Sequence, residues 1–394
     1  MTRCLAFLLA LASLAPSFAA AQDVKVHAFA DARLVDAPDD ASFMQGGPGR
    51  TRYGDDARGV RFGAAGVVVT AQLTPALFAL ADVQVQRTDR DDWQVPEAYL
   101  RYRPLSLSAW RTSVKVGEYF LPISLENDGI GWTSPWTITP SAINSWVGEE
   151  IRGIGAELRE EWRGESGTAT FGGGLVRHND VAGQALAARG WSFNDATLGL
   201  GGRLPEPDDE GGHERYAPFQ SIGRRTGWYA DGGWSSPRGF QVHVLRYDNR
   251  GNPTASRLYN DGNDHLYAWR THFWSLGAQM ETGPVTWIAQ DMDGDTEACP
   301  PIQCFRYRFQ SAFLLAGWNR GAWRPTLRYE TFRTWRAGER GHALTAALNW
   351  RPLDWLRLSA EWLRVDATRA GRLDFGLGPR ERGNQVQLLA RMLY

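Results

Sequence analysis

Two sets of opposite charge around one long polar stretch, Pro122–Glu150, are the residues best placed to act on a solute. Arg101, Arg103, Arg111, Lys115 and Arg152 flank the stretch, and Glu126, Asp128, Glu149 and Glu150 lie within it. Opposed across a narrow opening, such sets would orient dipolar solutes and hydrated ions, because rings of fixed charge set ion preference. Arg324 and Arg328 fall on the polar parity of a later segment and join this lining set. The stretch also holds Trp132, Trp136 and Trp146, which would gain by folding back over their own scaffold. The plainer alternative is a loop lying outside, with its charges solvated.

Other residue groups carry weaker signals. Asp291, Asp293 and Asp295 in DMDGDTE surround Gly294 as in a calcium loop, but no Glu stands at the closing position. The segment reads first as a polar turn, with weak loop calcium as the alternative. Cys299 and Cys304 in CPPIQC would form a short disulfide in an oxidising compartment; zinc fits poorly without a second Cys/His pair at finger spacing. His27, His178, His213, His243, His265, His272 and His342 are scattered, and none belongs to HExxH. G-x-S-x-G and phosphate-cradling loops are also missing, so the expectation is a chain without catalytic residues or metal.

The elements that must position these charges are strands. In Gln94–Arg103, Ala98, Leu100 and Tyr102 share one parity and Glu97, Tyr99, Arg101 and Arg103 the other. Trp110, Val114 and Val116 oppose Arg111, Ser113 and Lys115; Trp323, Leu327 and Tyr329 oppose Arg324, Arg328 and Glu330. A strand sends alternate side chains to opposite faces. Arginine facing lipid at mid-bilayer costs about 2–4 kcal/mol, so the polar parity should face water inside a closed wall. The full set of predicted strands is Val24–Val35, Gly59–Leu73, Leu77–Arg87, Gln94–Arg103, Trp110–Leu121, Ile151–Trp162, Gly167–Arg177, Gly227–Ser235, Phe240–Tyr247, Trp269–Glu281, Val285–Gln290, Phe309–Trp318, Trp323–Arg333, His342–Trp350, Leu356–Asp366 and Asn384–Tyr394. Tight turns alternate with long polar loops, which predicts an all-β, transmembrane antiparallel barrel of sixteen strands. Asn194–Leu204 also has strand character, which leaves eighteen open.

Met1–Ala21 combines a basic start, a short apolar run and an Ala19-Ala20-Ala21 site, the parts of a secretory signal cut after Ala21; the barrel would occupy 22–394. No segment has the roughly 18 apolar residues of a membrane helix. Mean hydropathy is -0.39 although 18 Trp, 12 Tyr and 17 Phe are present. A polar lumen inside a wall with aromatic girdles reconciles the two. A net charge of -1 gives no nucleic-acid footprint. Lys25 and Lys115 are the two lysines, so arginine carries nearly all the positive charge.

The last residues, NQVQLLARMLY, put Val386, Leu388, Ala390, Met392 and the aromatic Tyr394 on one parity. This resembles the closing strand of a bacterial outer-membrane barrel, which implies recognition by the barrel-assembly machinery. The stretch VKVGEYFLPISLENDGIGWTSPWTITPSAINSWVGEEIRGIGAE resembles the phosphate-selective porin O/P family through Gly117, Tyr119, Phe120, Pro122, Glu126, Asn127 and the later Arg152-Gly153-Ile154-Gly155. The resemblance implies a sixteen-stranded, trimeric channel whose long loop, around 122–149, folds into the pore. The chain departs from that family in its lack of lysines, and its inferred inward loop is acidic.

Together these readings describe an outer-membrane channel for passive diffusion of small hydrophilic or ionic solutes, with phosphate-like anions among the candidates. A non-conducting structural barrel and a barrel-embedded hydrolase are the rivals.

Overall fold

The computed structural model describes residues 23–86, 93–205, 215–259 and 264–394. The signal sequence expected over 1–21 and His213 lie outside them. Sixteen antiparallel strands pair in chain order and close into a barrel. They are β1 (Asp23–Asp36), β2 (Arg58–Gln72), β3 (Leu77–Gln86), β4 (Trp93–Tyr102), β5 (Trp110–Tyr119), β6 (Gly153–Gly164), β7 (Gly167–Arg177) and β8 (Gly227–Ser235). The second half is β9 (Phe240–Asp248), β10 (Arg270–Thr282), β11 (Val285–Ala298), β12 (Phe305–Trp318), β13 (Trp323–Thr334), β14 (Glu339–Leu353), β15 (Leu356–Thr368) and β16 (Arg380–Leu393). β1 pairs with β16 from Phe29↔Leu393 to Asp36↔Val386, so the sheet has no free edge there. No helix among the described residues is long and apolar enough to cross a membrane; the strands do the crossing.

Alternation decides the two faces. On β13, Leu327 and Tyr329 are exposed on the outer wall while Arg328 and Glu330 are fully buried inside. On β16 the outward Val386 and Leu388 alternate with buried Gln385, Gln387 and Leu389. The outward row is apolar through its middle. It begins near the short turns with exposed tryptophans, including Trp110, Trp287, Trp318, Trp323, Trp350 and Trp355. Trp323 and Trp350 stack with ring centroids 5.1 Å apart. Such a girdle fits a bilayer boundary.

Two expectations need correction. The acidic run Asp291–Asp295 is strand, not loop: β11 continues to Ala298, and β12 starts at Phe305. Its carboxylates face outward in cross-strand pairs, Asp295 with His272 (3.1 Å) and Arg306 (3.0 Å), Asp293 with Arg308 (3.1 Å), and Asp291 with Gln310 (3.0 Å). No loop is present there to wrap a calcium ion. The connection shrinks to Cys299–Cys304, which are joined by a disulfide. Asn194–Leu204 is not a barrel strand. Its backbone crosses the interior, where Thr197 N–H donates to Gln86, Gly199 N–H to Gln94 and Leu200 N–H to Glu118. This settles the strand count at sixteen.

Candidate functional site

The interior is built by three inward segments. The first, 120–152, leaves β5 after Tyr119, just beyond Gly117, whose φ of 140° and close approach to the Ala98 carbonyl suit a residue without a Cβ. Phe120 stacks on Trp132 at 4.1 Å. The segment then forms α1 (Ala142–Glu150), capped by the Ser141 hydroxyl, which accepts from the Asn144 N–H. Carboxylates surround the approach to this helix. Glu126 accepts from the Ser141 N–H (2.6 Å) and the Asn144 amide (2.8 Å), and Glu330 from the Ala142 N–H (2.8 Å). Glu361 accepts from the Ile138 and Thr139 N–H groups. Unpaired N–H groups and the helix dipole favour negative charge here. Arg328 balances these acids, 3.2 Å from Glu126 and 2.9 Å from Glu330, and donates to the Thr139 and Pro140 carbonyls.

The described parts of the second segment, 178–205 and 215–226, carry α2 (Gln184–Arg189) and fill the half of the lumen toward the long loops. Trp146, Trp191, Phe273 and Phe309 meet edge to face there. Glu149 is bound by Arg189, Ser192 and Asn194. Glu150 accepts from the Gly183 and Ala185 N–H groups, the Trp146 indole and the Tyr216 hydroxyl. Burial pushes both carboxyls up, against these hydrogen bonds. The third segment, 37–57, sends in Arg50, which bonds Glu339 and Glu381, and Arg52. Arg52 shares Asp195 with Arg33 of β1. Burial would raise the Asp195 carboxyl, but the two guanidiniums override it and hold it well below the usual range.

The half toward the short turns is open. A cavity of about 790 Å³ lies between the first inward segment and the wall of β1 and β13–β16. Arg324, Arg351, Arg357, Arg391 and His27 line it, and Asp354 is the one acidic side chain in that lining. Arg357 is braced by Ser359, Asn349 and the Ser134 carbonyl. Arg324 lies over the Trp136 ring at 4.6 Å. Arg391 grips Asp31 with two bonds of 2.6 Å. Preset guanidiniums around water suit carboxylates and phosphates. On the opposite wall the charges cancel: Lys115 and Arg159 share Glu157 (3.3 and 3.0 Å), and Arg159 and His243 share Asp231 (2.9 and 3.1 Å).

The eyelet expected from sequence is not the arrangement found. Glu126, Glu149 and Glu150 are buried and committed to backbone and arginine partners, while Asp128 is exposed. Arg152 is buried too. It donates to the Pro96, Leu198 and Gly148 carbonyls and lies 3.4 Å from the Phe120 ring centroid, so it fastens segments together instead of lining an opening. Arg101 packs on Phe78, Arg103 sits exposed beyond β4, and Arg111 is half-buried on the wall. Arg328 is a strut, and Arg324 does line the cavity. Arg351 and His27 are not singled out by the sequence, whereas Arg357 and Arg391 fall on the polar, water-facing parity of their strands. Arg391 alternates with the apolar residues of its strand, and that parity was the signal available.

No protein-family model and no curated sequence matches the chain. Solved structures share its fold. The anion-selective porin of Comamonas acidovorans aligns at 13% identity and a TM-score of 0.54, over 94% of this chain and 99% of that one. OmpF of Salmonella typhi, solved with daunomycin, aligns at 12% and 0.55 over 94% and 97%. The outer-membrane channel DcaP of Acinetobacter baumannii aligns at 12% and 0.54 over 94% and 97%.

Proposed function

We propose that the chain is an outer-membrane channel for small hydrophilic solutes with a preference for anions such as carboxylates or phosphate. The observation that carries this reading is the basic cavity: four arginines, one of them paired with Asp31, and a histidine around about 790 Å³ with one carboxylate in the lining, inside a closed barrel. The structural likeness to an anion-selective porin and an outer-membrane channel supports it. Export by the 1–21 signal, assembly through the strand ending at Tyr394, and a homotrimer belong to the same reading. OmpT of Vibrio cholerae, which shares the fold at a TM-score of 0.53 and 10% identity over 94% of this chain and 99% of that one, was solved in a trimer form. No catalytic residue and no cofactor is part of the proposal.

The test is conductance of the refolded chain in a planar bilayer under a salt gradient. Steps of stable size with a reversal potential toward the anion side are expected. A cation preference would overturn the anion assignment. The filled half of the lumen favours a second reading, a non-conducting scaffold, and persistent silence would establish it over the channel.

A further inference from the structure

The outer wall carries a second arrangement that the lumen does not use. An apolar groove of about 480 Å³ runs across β14–β16, β1 and β2, between Ala32, Val60, Leu348, Ala360, Leu388 and Ala390. Small alanines form its floor, branched residues its sides, and the stacked Trp323–Trp350 pair closes it toward the short turns. Up the same strands, toward the long loops, the outward row turns basic. Arg333, Arg340, Arg364, Arg380 and Arg382 occupy outward positions on β13–β16 against a single outward carboxylate, Asp366. Asp366 is shared by Arg382 (2.8 Å) and Arg380 (3.4 Å). Arg333 and Arg340 stand directly opposite in the ladder, a pairing of like charges that costs a sheet stability; Arg333 also donates to the Gln310 side-chain oxygen and lies over the Trp335 ring, which leaves it neither neutralised nor withdrawn from the surface. Arg340 and Arg364 are exposed and have no hydrogen bond or ion pair among the described residues.

We propose that this face binds a phosphate-bearing anionic membrane lipid, with an acyl chain in the groove and the head group on Arg340, Arg364 and Arg333. Ala360 and Arg364 lie on one outward row roughly 13 Å apart at about 3.3 Å per residue, a reach that a lipid's chain and head group span. Guanidinium matches phosphate geometry, and the membrane boundary is where aliphatic stems and charged heads separate. The inference rests on the membrane reading of the outer wall and is independent of whether the lumen conducts.

The experiment is native mass spectrometry of the refolded mature chain in detergent with dioleoylphosphatidylglycerol, dioleoylphosphatidylcholine or glycerol phosphate. Retention of the anionic lipid over the zwitterionic one is expected, weakened roughly tenfold or more in Arg340→Gln/Arg364→Gln. Ala360→Trp, which fills the groove and keeps every arginine, should weaken retention as well. Heat-modifiable gel mobility verifies that each variant is folded. Equal retention of both lipids, or no change in the double variant, would overturn the proposal. Glycerol phosphate binding as well as the lipid would overturn the role of the groove.

Discussion

Glu126 and Arg328 meet 3.2 Å apart inside the barrel, and neither side chain is exposed. The first belongs to an inward loop and the second to the wall, so this pair ties the loop to the strand that supports it. A buried pair contributes little net stability compared with an apolar pair, but breaking one half leaves a charge stranded.

Arg328→Met would strand both Glu126 and Glu330. The expected loss is roughly 3–5 kcal/mol, read as a lower denaturant midpoint for loss of loop structure. New protease cleavage within 122–150 should appear while the heat-modifiable mobility of the barrel persists.

Asp195→Asn should loosen the second inward segment, because Arg33 and Arg52 both close on that carboxylate. Larger or noisier conductance steps are expected than in the parent chain. The pH sign is fixed by the direction of the shift. A carboxyl held below its ordinary value stabilises the fold above that value, about pH 3.9, and loses this contribution only as pH falls further. Acidification from neutrality to about pH 5 should therefore leave this latch closed.

Glu149 and Glu150 behave in the opposite sense. Their carboxyls are pushed up by burial, so the ionised form is the costly one in the folded segment. The packed lumen should gain stability as pH falls through the raised values toward the ordinary carboxylate range, and lose it as pH rises. Proteolysis of 178–205 should slow on mild acidification, and Glu149→Gln/Glu150→Gln should flatten that dependence.

In the basic cavity, Arg324→Glu/Arg351→Glu should move the reversal potential toward cations. Lys115→Glu should move it less, because Lys115 is already neutralised by Glu157 at 3.3 Å. An equal or larger shift from Lys115→Glu would place the narrowest point on the β5–β6 wall.

The strands were legible because a two-faced wall imposes a period of two on any residue it exposes. β13 shows this residue by residue, from outward Trp323 to inward Thr334. That signal fades where the outward face leaves hydrocarbon. Beyond Ala289 the outward residues of β11 are Asp291, Asp293, Asp295 and Glu297, and the three aspartates read as a loop although each has a cross-strand partner.

Sequence alone determined the closed wall, its strand positions and the alternation of short and long connections, because these follow from local periodicity and turn residues. Tertiary structure alone decided what fills the wall. Arg50 bonds Glu339 across 289 positions and Arg33 bonds Asp195 across 162, and charges in aperiodic loops carry no mark of their distant partners. Which arginines end as struts and which face water was likewise set by burial, since a guanidinium reads the same in sequence whether it holds a helix or an ion.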